Sequence, residues 1–220
     1  MDDDRALEVL QELQSNLLDA ADQLPEPMRT STLACMVFRK ALTPETDRGC
    51  ALMAAAYLDE RLKLLLQSRL VFDKKYVRRA LDFNGPLGTF SSRIDFAYLL
   101  GLIPKNAQRD LHLMRKIRNE FAHVASSLNF ESESVSAECK KFYFDGVVPE
   151  APARSKFTRA AMGLLSFIDV AIFKTSHIEA APDHDISTDQ AALRGIRSQL
   201  EAAGIDGAHL PDFIDYGSRG

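Results

Sequence analysis

Apolar residues recur at helical spacing along almost the whole chain, and proline or glycine interrupts them at short intervals. That pattern constrains the fold more than any other feature, because a 3.6-residue period buries one stripe of a helix and cannot be satisfied by a strand. Leu7, Leu10, Leu13, Leu17 and Leu18 form a stripe over residues 3–24, which Pro25 and Pro27 stop. Further helices are predicted from about Pro27 to Leu42, through the apolar run ending near Phe72, and over Lys74–Phe83. Thr43 is placed to cap the start of the third of these four segments. After the break at Asn84-Gly85-Pro86-Leu87-Gly88, helices are expected over Thr89–Leu100, from Pro104 past Phe121, over Val135–Phe142, over Ser155–Ser176 and over Thr188–Ala203. Gly101 suits a left-handed C-cap. Strand signals are confined to Lys141–Val148, which could form a small hairpin. The predicted fold class is all-α, a multi-helix bundle. Residues 1–180 are expected to form one helical domain, and 181–220 a linker, an amphipathic helix and a tail.

Composition narrows the function. A formal net charge of -4 neither recruits nor repels DNA, only local clusters are basic, and no helix-turn-helix with a convincingly basic, exposed second helix is found. No apolar run approaches the ~20 residues needed to span a bilayer. The acidic, amphipathic start does not resemble a secretory signal. Cys35, Cys50 and Cys139 are odd in number and without CxxC spacing, so they read as reduced, buried thiols of a cytoplasmic protein.

The segment around residues 111–124 carries the densest chemistry. Leu111, Met114, Ile117, Phe121 and Val124 fall on one side of a helix and must face a core. Opposite them, His112, Arg115, Asn119 and His123 share one face, and Arg118 flanks it. A plain solvated face would also be rich in Arg and Lys. Two of the five histidines lie on this stripe, however, and imidazole is the side chain that exchanges protons near neutral pH. Arginine forks suit phosphate, and the Asn amide can orient them. No carboxylate cluster accompanies the group, so a two-metal nuclease site is not predicted, nor is any other metal or cofactor. Cleavage of RNA needs no metal in principle, since the 2'-hydroxyl is a built-in nucleophile.

Asn84-Gly85-Pro86-Leu87-Gly88-Thr89-Phe90-Ser91-Ser92-Arg93, followed by Tyr98-Leu99-Leu100-Gly101-Leu102-Ile103, resembles the signature of the MtlR (mannitol operon repressor) family, and Leu58-Asp59-Glu60-Arg61-Leu62 upstream fits it. The likeness covers roughly residues 50–130. It implies an all-helical bacterial regulator without an evident DNA-reading motif, acting through protein contacts.

Arg118-Asn119-Glu120-Phe121-Ala122-His123 is similar to the Arg-x4-6-His motif of HEPN ribonucleases. That second resemblance implies a metal-independent endoribonuclease in a regulatory, toxin or defence setting. In it His123 would move the proton, Arg118 would stabilise the transition-state charge, and Asn119 would position His123 or a phosphate oxygen. It also implies a homodimer whose paired motifs line one groove, and a regulatory or antitoxin protein as partner. One rigid helix cannot aim both groups at one atom, because Arg118 and His123 point about 140° apart by the 3.6-residue period.

His112, Arg115 and Arg93 are the candidate RNA contacts. Arg93 could instead anchor the Gly-rich turn by pairing with Asp82 or Asp95. Asp59 could orient His123 or Arg118, or lie with Glu60 on an outer face. Lys74, Lys75, Arg78 and Arg79 form a basic cluster that is either an RNA track or a solvated face.

Overall fold

The computed structural model describes residue 16 and residues 19–123, 128–146 and 150–204, and these form two compact units, Met1–Glu179 and Ala180–Gly220. The first unit contains α1 (Met28–Leu42), α2 (Asp47–Arg69), α3 (Lys74–Leu81), α4 (Phe90–Leu99), α5 (Lys105–Ala122), α6 (Glu133–Cys139) and α7 (Ala153–Lys174). The second contains α8 (Ile186–Ala202). All regular structure among the described residues is helical, as the apolar period predicts. Most of the Leu7–Leu18 stripe, and Val124, lie outside the described residues.

Helix α2 is the centre of the first unit and packs against α1, α4, α5 and α7. Its apolar residues do not keep to one stripe, because neighbours cover it on several sides. Cys50, Ala54, Leu58, Leu62, Leu65 and Leu66 are all buried. Opposing them, Leu111, Met114, Ile117 and Phe121 of α5 are fully buried, as their spacing requires. Phe121, Phe130 and Phe157 pack their rings at tilted angles with centroid distances of 5.1 Å, tying α5, the loop after it and α7 into one core.

The Gly-rich connection has a fixed shape. A Cβ on Gly85 would lie 2.3 Å from the Arg79 carbonyl oxygen, and one on Gly88 would lie 2.3 Å from that of Phe83. Only glycine lets the backbone approach that closely. Thr89 then caps α4 reciprocally with Ser92, a capping box.

Three local expectations are corrected. The N-cap of α2 is Thr46, whose hydroxyl accepts from the Gly49 amide at 3.1 Å. Thr43 instead stays helical at the end of α1 and donates its hydroxyl to the Arg39 carbonyl at 2.9 Å. The possible hairpin over Lys141–Val148 is absent from its described part, where residues 141–146 form turns. The reason lies in Asp110, whose Oδ2 accepts the amides of Tyr143 and Phe144 at 2.7 and 2.8 Å and so takes the donors a ladder would need. The third concerns Arg93, treated below.

Cys50 and Cys139 are buried and Cys35 is half-buried; all three are free thiols. Burial pushes Cys35 and Cys50 up to about 11 and Cys139 up to about 12. Since the thiolate is the reactive form, the folded protein is expected to react with a thiol-labelling disulfide at about pH 8 at least ~10-fold more slowly than the denatured chain. Equal rates in the two states would contradict this packing.

Candidate functional site

Helix α5 begins after Pro104 and stops at His123, whose backbone is extended (φ -69°, ψ 112°). The terminal carbonyl of this helix end is held by Arg48 of α2, which donates from Nη2 to the His123 oxygen at 3.3 Å. The imidazole of His123 therefore leaves from the first residue after the helix and is exposed.

A groove of about 1010 Å³ runs along the outer face of α5, with Glu138 of α6 on its lining. His112, Arg115, Asn119 and His123 all line it. The four residues selected by helical spacing are thus brought together in one depression. Arg118 is half-buried and lies outside the lining. Within the chain, Arg118 thus stays off the depression that His123 lines.

His112 is the best-defined group. Its Nε2 donates to Oδ1 of Asp95 at 2.8 Å, and the Gln108 amide donates to the same oxygen at 2.9 Å. The bond from His112, then that from Gln108 and the nearby Arg115 charge, hold the Asp95 carboxyl below its ordinary range. Asp95 sits on α4, so the pair locks α4 to α5 and fixes the ring at the groove edge. Arg115 is half-buried, and its Nε is sealed from solvent without an acceptor among the described residues. Glu138 accepts Lys141 at 2.7 Å and Lys116 at 3.0 Å. The Lys141 bond first, then that of Lys116, keep its carboxyl ionised below the usual value.

Arg93 is elsewhere. It is 7% exposed and surrounded by the turn it follows. Nε donates to the Leu87 carbonyl at 2.9 Å, Nη2 to the Leu81 carbonyl at 2.9 Å, and Nη1 to Asp59 Oδ1 at 2.7 Å. An RNA contact through Arg93 finds no support in this placement, because every edge of its fork is engaged inside the protein. Its acidic partner is Asp59, neither Asp82 nor Asp95, and Asp59 accordingly faces the turn rather than His123. Glu60 has only a 3.9 Å pair with Lys63, as an outer-face residue would. Lys74, Lys75, Arg78 and Arg79 sit on α3, and Lys75, Arg78 and Arg79 line a separate depression with the Gly-rich turn.

Sequence reasoning missed Lys105, Arg109, Lys116 and Glu138 as lining residues. The first three follow from the same α5 spacing and were legible; Glu138 comes from another helix and carried no signal. Among the described residues, no group of three or more His, Cys, Asp or Glu side chains is placed to hold a metal ion. No described helix is long and apolar enough to cross a membrane.

The family model described as MtlR, mannitol repressor, matches residues 37–154, the stretch from late α1 to the start of α7. The chain belongs to the mannitol repressor family. Within the family, it is 25% identical over 128 residues to the mannitol operon repressor of Escherichia coli strain K12, a match covering 56% of this chain and 66% of that protein. The corresponding repressor of Escherichia coli O6:H1 strain CFT073 gives the same figures. The match thus spans just under two thirds of these relatives' length. Among solved structures, the X-ray structure of the MtlR–HPr complex from Escherichia coli superposes with a TM-score of 0.53 at 21% identity, covering 61% of this chain and 96% of that one. At that identity the likeness speaks for a shared fold. The GPLG turn and α5 both lie inside the family match, whereas α8 lies beyond it.

Proposed function

We propose that this mannitol repressor family member is a non-catalytic regulator of gene expression that works through protein–protein contacts. The observation carrying this reading is the family match over residues 37–154, which embraces the whole α5 groove. The net charge of -4 adds support, since it gives the chain no overall attraction to duplex DNA. An HPr protein is the partner we put forward, because the structural neighbour was solved in complex with one.

The test is a mannitol-operon reporter in a strain lacking this chain. Supplying the wild-type protein is expected to restore repression. Purified HPr from the same organism is expected to bind in calorimetry. Unchanged reporter output with and without the protein would defeat the regulator reading.

The competing reading is the metal-independent endoribonuclease. It is favoured by one observation: His123 is exposed in a groove beside Asn119. It needs a second copy of the chain, since Arg118 of the same copy does not line that groove. RNA incubated with the protein in EDTA is expected to stay intact. Cleavage that persists in EDTA and vanishes in His123→Ala would replace the regulator by a nuclease.

A further inference from the structure

The α5 groove has a charge and hydrogen-bonding pattern of its own. Its lining carries Lys105, Arg109, Arg115 and Lys116 against two carboxylates, Glu120 and Glu138. The lining therefore carries a small local excess of cations in a chain of net charge -4, with Arg109 already facing Asp110 at 3.3 Å. Glu138 is already matched by Lys116 and Lys141. From Lys105 to His123 the trough is about 27 Å long at the helical rise of 1.5 Å per residue. That is room for a stretch of about eight extended residues.

Arg115 supplies the anchor. Its half-buried guanidinium lies on the groove wall, with a sealed Nε that finds no acceptor among the described residues. The sealed Nε stays out of a ligand's reach, but a carboxylate meeting the terminal nitrogens would neutralise the guanidinium charge by bidentate pairing. His112, fixed by Asp95, stands one turn away on the same face. Asn106, Gln108 and Asn119 place amides between the cations, and amides serve the backbone groups of an extended peptide.

The same lining argues against single-stranded RNA. Leu113 is its one aliphatic residue, and the only rings on it are the imidazoles of His112 and His123, with no Phe, Tyr or Trp. Single-stranded nucleic acid is ordinarily held by bases stacked on aromatic rings above a basic track. Here the platform is reduced to two imidazoles.

We propose that the α5 groove is a docking trough for an acidic, extended segment of a partner protein, with Arg115 as the anchor for one of its carboxylates. This rests on the regulator reading and adds to it the surface and the charge of what binds there. The segment competes with solvent for Arg115 and Lys105, and its affinity falls as salt rises.

Fluorescence anisotropy of the full-length protein tests this with three labelled probes: a peptide of alternating Glu and Ser, the same peptide with Lys for Glu, and a single-stranded RNA of equal length. The acidic peptide is expected to bind and the Lys peptide to fail. Arg115→Glu is expected to weaken binding about tenfold or more, as loss of an arginine anchor commonly does. Lys105→Glu, at an exposed position where refolding is not at stake, is expected to weaken it several-fold. RNA bound more tightly than the acidic peptide, and released by the same two changes, would overturn the proposal in favour of a nucleic-acid surface. So would an acidic peptide that binds neither protein, or binds wild type and Arg115→Glu alike. The reporter separates the two levels: wild-type protein without effect on it defeats the regulator reading, while the anisotropy still decides the groove.

Discussion

Replacing Arg93 by leucine is expected to destabilise the helical unit by about 3–5 kcal/mol, the combined cost of a part-buried ion pair and two shielded carbonyl bonds. The guanidinium bridges three structural levels at once. It closes the Gly-rich turn through the Leu87 carbonyl, joins that turn to the end of α3 through the Leu81 carbonyl, and ties both to Asp59 on α2. Leucine would fill much of the volume but would leave two carbonyls and a carboxylate without donors, each a penalty of about 1–3 kcal/mol when shielded from water. Urea unfolding followed by far-UV circular dichroism should show the midpoint falling with the slope unchanged. The melting temperature should drop by roughly 10 °C for a unit of this size.

The companion substitutions make the argument specific. Lysine at position 93 keeps the charge yet has one nitrogen where three separate acceptors wait in fork geometry, so Arg93→Lys should recover little of the loss. Asp59→Asn keeps an acceptor oxygen but leaves the buried guanidinium without its counter-charge, so it should still cost about 3 kcal/mol. A lysine variant as stable as wild type would show that the site needs a charge and no fork. The consequence reaches the groove, because the turn sets the start of α4, and α4 carries the Asp95 that holds His112.

That chain of dependence explains which features were legible in the sequence. The helices, the faces of α5 and the break at Asn84–Gly88 follow from local periodicity and backbone chemistry, which any window of the chain displays. The angle between Arg118 and His123 was equally local, and the structure keeps Arg118 off the groove accordingly. What stayed hidden was pairing across distance. Arg93 meets Asp59, 34 positions earlier, and His112 meets Asp95, 17 positions earlier, through helix packing that no spacing rule encodes. Nearer candidates such as Asp82 lost because the Arg93 side chain turns inward toward α2. The Thr43 expectation failed for a local reason that is harder to weigh: a threonine can bond backward to the preceding turn as readily as it caps the next.

Asp110→Ala is expected to cost about 2–4 kcal/mol, and Asp110→Asn much less. Asp110 is fully buried at the inner side of the groove helix. One oxygen accepts the amides of Tyr143 and Phe144, while the other faces Arg109 at 3.3 Å. Alanine orphans both amides, at about 1–3 kcal/mol apiece where water cannot replace the bond. It should also loosen the turn that carries Lys141 to Glu138. Asparagine can offer its carbonyl oxygen to both amides, so it keeps the bonds that matter and discards a buried charge. The pH dependence distinguishes the two contributions. Desolvation raises the Asp110 carboxyl above its ordinary 3.8, outweighing the Phe144 and Tyr143 amides and Arg109. The folded protein therefore binds this proton more tightly than the unfolded chain does, and Asp110 makes stability fall as pH rises from 3.8 through its raised folded value. Asp110→Asn should remove that fall, gaining on wild type in relative stability from acid toward neutral pH. If the asparagine variant instead lost ground as pH rose, ionised Asp110 would be a net stabiliser, and its charge rather than its acceptor geometry would hold the 141–146 turn against α5.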